Sequence, residues 1–321
     1  MTKGIVSVIV PSYNVESTVV KCLNSVYAQT YYGLEVIAVN DGSTDNTLEV
    51  LRQYQKSHSS LVIVDQHNQG LSAARNAGID AATGDFLFFL DSDDYIGVEE
   101  IELLVAAMGE DVDMVVGGMT YIGDDDGVLG TVCDSAQRLD ERDYWDCVYN
   151  NRNNSSVEYV VSCGKLFRAS LFEAVRFEIG KIHEDEFILH RLVGHCKSIA
   201  VVPACQYYYV QNPASITHRP SPRSTLDVVE AFMDRNRYFF DSGFFDFFWL
   251  SLCQAKASLV MSSGVISSDV DIQRWRDLKR RWNRAFSSGF RYFDLRNRNC
   301  FSCAAYRYLP VAFNKRNGSV V

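Results

Sequence analysis

The chain has 321 residues, 47% of them hydrophobic, and a net charge of −9. That is enough apolar material for one large domain or two, and too acidic a balance for a nucleic-acid binder. The charge is unevenly spread: from Gln273 onward twelve Lys/Arg stand against two acids, Asp277 and Asp294, so an acidic body carries a basic end suited to an anionic surface.

In chain order, the opening "MTKGIVSVIVPSYN" has only a six-residue apolar run before Pro11 and does not read as a secretory leader. The runs "IVSVIV" (5–10), "LEVIAV" (34–39), "LVIVD" (61–65), "FLFFL" (86–90) and "DMVVGGM" (113–119) predict strands buried on both faces. Between them Glu16–Gln29, Thr44–Lys56, Leu71–Ala82 and Val98–Met108 predict helices. The alternation is βαβαβαβαβ, hence an α/β fold with a doubly wound, mostly parallel sheet whose ligands bind beyond the carboxyl ends of its strands. Residues 120–135 are rich in Gly and Asp and predict a hairpin or surface loop. Short strands and a helix starting near His183 fill 155–210, and three helices follow at Leu226–Phe240, Phe244–Met261 and Ile272–Phe290. A proline cluster in "NPASITHRPSPR" (212–223) marks a boundary between a domain over 1–217, with halves of about 1–120 and 121–217, and a mostly helical region over 218–321. The stretch "GFFDFFWLSLCQA" (243–255) carries Asp246 and is too short to span a bilayer. The nine scattered cysteines, with a single CxxC at Cys300 and Cys303, predict reduced, mostly buried thiols and no zinc site. A cytoplasmic protein is expected.

Three acidic motifs fall where such a sheet would gather them. "VNDGSTD" places Asp41 at the exit of the second strand, and "FLFFLDSDDY" runs an apolar strand into Asp91, Asp93 and Asp94. Close carboxylates repel, so a hard divalent cation with oxygen ligands would suit them, and that cation would in turn hold a diphosphate. "HNQGLSAARNAG" (67–78) supplies Arg75 near a helix start, a place that suits phosphate. Taken singly, the first two motifs read equally as turns and helix caps, and Arg75 as a surface residue. The third motif, "KIHEDEFILHRLV" (181–193), offers Glu184 and Asp185 either as first-turn helix acids or as the carboxylates of a proton-transfer site.

"VSVIVPSYNVE", "VNDGSTDNT", "NQGLSAARNAG" and "FLFFLDSDD", in that order, resemble family 2 glycosyltransferases of the GT-A fold, most strongly over residues 5–100 and in all over about 4–215. The resemblance implies a Rossmann-like catalytic domain that moves a hexosyl or N-acetylhexosaminyl group from a nucleotide diphosphate donor, a UDP-sugar first, by inversion. The acceptor would be a glycan or polyprenyl-diphosphate-linked hydroxyl in bacterial polysaccharide biosynthesis. It further implies that Pro11, Tyr13, Asn14 and Glu16 border the nucleotide, that Asp41 binds the base, and that Arg75 faces the diphosphate. Asp91 and Ser92 would stand beside the ribose or donor sugar, and Asp93, with Asp91, would hold Mn²⁺ or Mg²⁺. Asp185 matches the general base and Glu184 its support or an acceptor contact, while Asp94 is either an extension of the metal motif or a cap. His183 and Lys165 are each open between a structural role and a site role. Many relatives carry an arginine shortly before the Ser-Ile of "YYYVQNPASITHRP"; here Val210 and Gln211 stand there, leaving His218 or Arg219 for any phosphate contact.

Ile272, Trp275, Leu278, Trp282 and Phe286 form an aromatic stripe on a strongly cationic helix. Over 272–290 this predicts either peripheral contact with the anionic inner face of a membrane or docking of the stripe onto protein. No nucleic-acid partner is expected, and the oligomeric state is open. Two rival functions stand beside the transferase: a non-catalytic nucleotide-sugar-binding scaffold, and a sugar nucleotidyltransferase, for which "PSYNVESTV" lacks the Gly-rich basic loop.

Overall fold

The computed structural model describes residues 4–123, 126–150, 157–204, 206–211, 221–294 and 297–308. The chain divides into two compact units, 1–180 with 191–213 and 181–190 with 214–321. The segment 181–190, expected with the first domain, is thus grouped with the later helices. The boundary stretch 212–220, with His218 and Arg219, lies outside the described residues.

The first unit opens with β1 (Val6–Ser12), α1 (Val19–Tyr27), β2 (Leu34–Asp41), α2 (Thr47–Ser57), β3 (Leu61–Gln66), α3 (Leu71–Ala81), β4 (Phe86–Phe89), β5 (Tyr95–Ile96) and α4 (Glu100–Ala107). It continues with β6 (Met114–Val116), β7 (Met119–Ile122), β8 (Val128–Val132), β9 (Gln137–Leu139), α5 (Glu141–Asn150), α6 (Val157–Val160), β10 (Lys165–Arg168) and α7 (Leu171–Ala174). Helix α8 (Glu184–His195) precedes β11 (Ile199–Val201) and β12 (Tyr207–Val210).

Two sheets form, an eight-stranded one in the order β3-β2-β1-β4-β10-β6-β11-β9 and a four-stranded one in the order β5-β12-β7-β8. Strand β1 runs parallel to β2 and β4, and every residue of its "VSVIVPS" is buried, as an apolar run flanked by strands and helices on both faces requires. Helices α1, α2 and α4 cover one face through Leu23, Val26, Leu51, Ile101 and Leu104. On the other face Ala74 of α3 packs with Ile37 and Val39. The alanine-rich sequence of α3 follows from a close approach: a Cβ added at Gly78 would lie 2.3 Å from Ile9 Cγ2.

Two features depart from the simple alternation. Strand β10 inserts antiparallel between β4 and β6, so the fifth predicted strand does not neighbour the fourth. "DMVVGGM" also breaks at Gly117-Gly118, sending β6 into the large sheet and β7 into the small one, where β7 and β8 form the hairpin expected over 120–135.

The second unit is helical: α9 (Pro222–Asp241), α10 (Phe245–Ser262), α11 (Asp269–Gly289) and α12 (Arg298–Tyr308). Ser221 and Ser268 cap α9 and α11 by accepting from Ser224 N and Asp271 N. The aromatic stripe of α11 is turned into this unit. Trp282 and Phe286 are buried and stacked at 5.7 Å, and the indoles of Trp282 and Trp275 donate to Leu252 O and Leu259 O. Arg274 is also committed within the unit, to Asp227 at 2.5 Å and Glu230 at 2.6 Å. Docking on protein therefore accounts for the buried part of the stripe, and no described helix is long and apolar enough to cross a membrane.

One cysteine expectation is corrected. Among the described residues Cys133 is disulfide-bonded, whereas seven other cysteines are free, Cys253 and Cys303 among them with sulfurs 3.2 Å apart.

Candidate active site

The carboxyl ends of β1, β2 and β4 share one edge of the large sheet because the three strands are mutually parallel. At the β2 exit Asp41 is 3% exposed and its carboxylate accepts from Gln66 Nε2 at 2.7 Å, Gln69 N at 2.9 Å and Gly70 N at 2.8 Å. These donors fold the loop before α3 onto the strand end. Gly42 turns with φ +66°, and a Cβ there would meet Asn68 N at 2.5 Å, so the turn requires glycine on both counts.

The segment after β1 braces that turn. Pro11 is buried within the strand and Tyr13 stands 48% exposed. Asn14, itself left-handed at φ 54°, accepts from Thr44 N at 2.8 Å, and Glu16 accepts from Asn46 N at 2.8 Å just before α2.

After β4 the acids are held in three different ways. Asp91 accepts from Arg75 at 3.0 Å. That guanidinium is 1% exposed and lies 5.3 Å from the Phe177 ring, whose backbone exchanges two hydrogen bonds with the Asn76 amide at 2.8 and 3.0 Å. Ser92 is buried. Asp94 is buried as well, accepting from Tyr207 Oη at 2.6 Å and Val210 N at 2.8 Å. Asp93 is the exposed acid of the group.

Desolvation in the crevice, then the charge of Asp91, pushes the Asp93 carboxyl up to about 6. Burial, then Asp91 and Asp93, pushes Asp94 well above its usual range against the two donors it accepts from. The group is thus short of positive charge, although Arg75 serves Asp91. A divalent cation fits this donor set through one or two carboxylates, with phosphate oxygens completing the shell. Among the described residues no group of three or more His, Cys, Asp or Glu is arranged to hold a metal by itself.

The second unit carries the remaining acids. Asp185 and Glu184 lie in the first turn of α8, where Glu184 is 9% exposed and Asp185 half-buried. Their neighbour Glu186 is ion-paired with buried Arg235. His183, left-handed at φ 64°, hydrogen-bonds Ser224 Oγ through Nε2 at 3.0 Å, the structural alternative for this residue.

Lys165 likewise proves structural. It is 1% exposed, and its ammonium donates to Glu158 O at 2.6 Å and to Val161 O. Sequence reasoning missed the anchors of Asp94, because Tyr207 lies 113 positions away on β12. The only local hint was the tyrosine run of "YYYV".

The glycosyl transferase family 2 model matches residues 7–176, more than half of the 321. Glycosyltransferase GlyA of Streptococcus pneumoniae is 32% identical over 238 residues, which are 72% of this chain and 34% of GlyA. Putative glycosyltransferase EpsH of Bacillus subtilis is 31% identical over 67% of this chain and 63% of its own. Glycosyltransferase GlyG of S. pneumoniae is 31% identical over 71% and 78%. The chain therefore spans about a third of GlyA and under two thirds of EpsH. Among solved structures, S. aureus TarS 1–349 superposes with a TM-score of 0.73 at 21% identity, over 98% of this chain and 92% of that one. At that identity the likeness shows a shared fold. With the family model and these relatives in agreement, the chain belongs to glycosyl transferase family 2.

Proposed function

We propose that the protein is a metal-dependent, inverting glycosyltransferase that moves a sugar from a UDP-sugar to a hydroxyl of a glycan or lipid-linked acceptor in polysaccharide biosynthesis. The observation that carries this reading is the exposed Asp93 carboxylate, set between two anchored acids at the carboxyl edge of a parallel sheet. The crystal structures of TarS in complex with UDP-GlcNAc and with UDP support a uridine donor, and that of the Pyrobaculum calidifontis mannosyltransferase PcManGT with GDP-Man and Mn²⁺ supports the metal.

In this reading Asp93, with Asp91, holds Mn²⁺ or Mg²⁺. When bound, that ion neutralises charge on the departing diphosphate. Arg75, expected to face the diphosphate, is instead buried against Asp91 and in this reading fixes that carboxylate. Asp41 has about one of its roughly four acceptor positions left for a base N–H, its other three being committed to the loop. Pro11, Tyr13, Asn14 and Glu16 shape the nucleoside side.

In the transfer the bond from the anomeric carbon to the diphosphate oxygen breaks while the acceptor oxygen bonds the opposite face. The hydroxyl proton passes to a carboxylate of Asp185. In this reading Asp185, half-buried in the first turn of α8, is the base, and the more deeply buried Glu184 beside it is its support. A single displacement inverts the anomeric centre, whereas retention would need a nucleophilic carboxylate in addition.

The test is thermal denaturation with UDP, GDP or dTDP, each with and without Mn²⁺, followed by UDP release from UDP-sugars. A ligand at ~100 times its dissociation constant stabilises by about 2.7 kcal/mol. A metal-dependent shift with UDP, and UDP release lost in Asp185→Asn, is the expected result. Nucleotide binding without turnover on any acceptor would favour a non-catalytic scaffold, and no shift at all would sink the reading.

A further inference from the structure

Strand β12 does more than anchor Asp94. Tyr207 and the Val210 amide both bind that carboxylate, at 2.6 and 2.8 Å, so the residues between them are pinned beside the acidic turn. Side chains alternate along a strand, which places Tyr209 on the same face as Tyr207. Its cross-strand partner in the β12–β7 register is Tyr121, and the two rings meet edge to face at 5.6 Å.

Tyr209 is half-buried, yet its hydroxyl has no hydrogen-bond partner among the described residues. That oxygen is not enclosed, so an incoming acceptor can reach it. Burial, then Asp94, with Asp91 and Asp93 also contributing, holds the phenol protonated and therefore a donor at any working pH. The neighbourhood thus offers an apolar ring edge backed by a second ring, a hydroxyl lacking an acceptor among the described residues, and the acids read above as the holders of the metal.

We infer that Tyr209, backed by Tyr121, is a specificity-determining residue for the transferred sugar. Its hydroxyl would donate to a sugar oxygen, and its ring would cover an apolar C–H face of the pyranose. The inference rests on the glycosyltransferase reading. A sugar ring, with hydroxyls around its rim and C–H groups on its faces, matches an amphipathic tyrosine better than a phosphate or a base does.

The test is titration calorimetry with Mn²⁺ and no acceptor, comparing UDP with UDP-glucose, UDP-galactose, UDP-GlcNAc and UDP-GalNAc for wild type, Tyr209→Phe and Tyr209→Ala. Binding of UDP should be equal in all three proteins. For the UDP-sugar that wild type binds best, Tyr209→Phe should weaken affinity about threefold to tenfold, as loss of one hydrogen bond would, and Tyr209→Ala should weaken it more. Equal UDP and UDP-sugar losses in the variants would mean a structural role and overturn the inference. Unchanged UDP-sugar binding in both variants would also overturn it. If wild type binds no UDP even with metal, the glycosyltransferase reading fails and this inference with it. That outcome is told apart from failure of the inference alone, in which wild-type UDP binding persists.

Discussion

The turns that follow β2 and β4 present carboxylates at the same sheet edge and treat them in opposite ways. Asp41 is buried and accepts three hydrogen bonds from the loop it organises. In the Asp91–Asp94 turn the outer two acids are anchored, Asp91 by Arg75 and Asp94 by Tyr207 and Val210, while Asp93 is left exposed and raised to about 6. A carboxylate with its acceptors filled builds local structure. One surrounded by like charge is poorly stabilised by the fold and gains most when a cation arrives. The difference sorts the acids into those whose loss costs stability and those whose loss costs ligand binding.

The largest expected effect tests that sorting at its open end. Asp93→Asn removes the carboxylate proposed to hold the metal and one source of repulsion together. UDP-sugar turnover should fall at least about a hundredfold, since each lost 1.4 kcal/mol of transition-state stabilisation costs a factor of ten. The unliganded thermal midpoint should stay level or rise, because the neighbouring acids lose a like charge. A fall in the midpoint with turnover retained would place Asp93 with the structural acids and break the comparison.

Glu100 extends the same logic to a half-satisfied acid. It is fully buried in the first turn of α4. One of its oxygens accepts from Gln206 N at 3.2 Å, and the other has no partner among the described residues. Burial pushes its carboxyl up to about 8 from the usual 4.5. A pKa raised on folding gives a contribution fully present below about pH 4.5 and lost as pH rises toward 8, because only the unfolded chain ionises freely in that window. Glu100→Gln should therefore be more stable than wild type by a few kcal/mol at pH 8, at up to ~1.4 kcal/mol per pH unit crossed, and should show little advantage near pH 4.5. Urea denaturation of both proteins at pH 5, 6.5 and 8 measures the gap. A gap that does not widen with pH would mean the acid is charged in the fold.

The part of the molecule that sequence alone made legible is the part where local pattern and tertiary role agree. Strands β1, β2 and β4 are largely buried on both faces and separated by helices, so periodicity and turn chemistry suffice there, whereas β3, expected to be buried as well, is the half-exposed edge strand. Strand β10 escaped because four residues of "KLFR" carry no period of their own, and its antiparallel place between β4 and β6 is set by partners about eighty and fifty positions earlier. Helix α11 was ambiguous for a different reason. An aromatic stripe looks the same whether lipid or protein covers it, and only the packing of Trp282 and Phe286 decides. At the sheet edge, Asp41, Arg75 and Asp91–Asp94 could be picked out in advance as candidates, but which of the acids are filled by protein donors could not. The donors that fill Asp94 come from β12, more than a hundred residues away.

Asp41→Asn gives the smallest effect and the finest discrimination. Asparagine keeps the shape but turns one acceptor oxygen into an N–H₂ group. If the remaining oxygen serves Gln66 and Gln69, the new donor faces the amide of Gly70, which already donates. The buried mismatch should cost about 1–3 kcal/mol, visible as a midpoint lower by several degrees. Affinity for UDP should fall as well, because the loop that the carboxylate holds leads directly into α3 and Arg75. The ratio of the two effects decides between roles. If loop order is the whole contribution, UDP at saturating concentration should restore the midpoint difference only in part, and UDP and GDP should weaken by the same factor. If the remaining acceptor position also reads the base, UDP should weaken more than GDP, and Asp41 would then be both a filled structural acid and a recognising one.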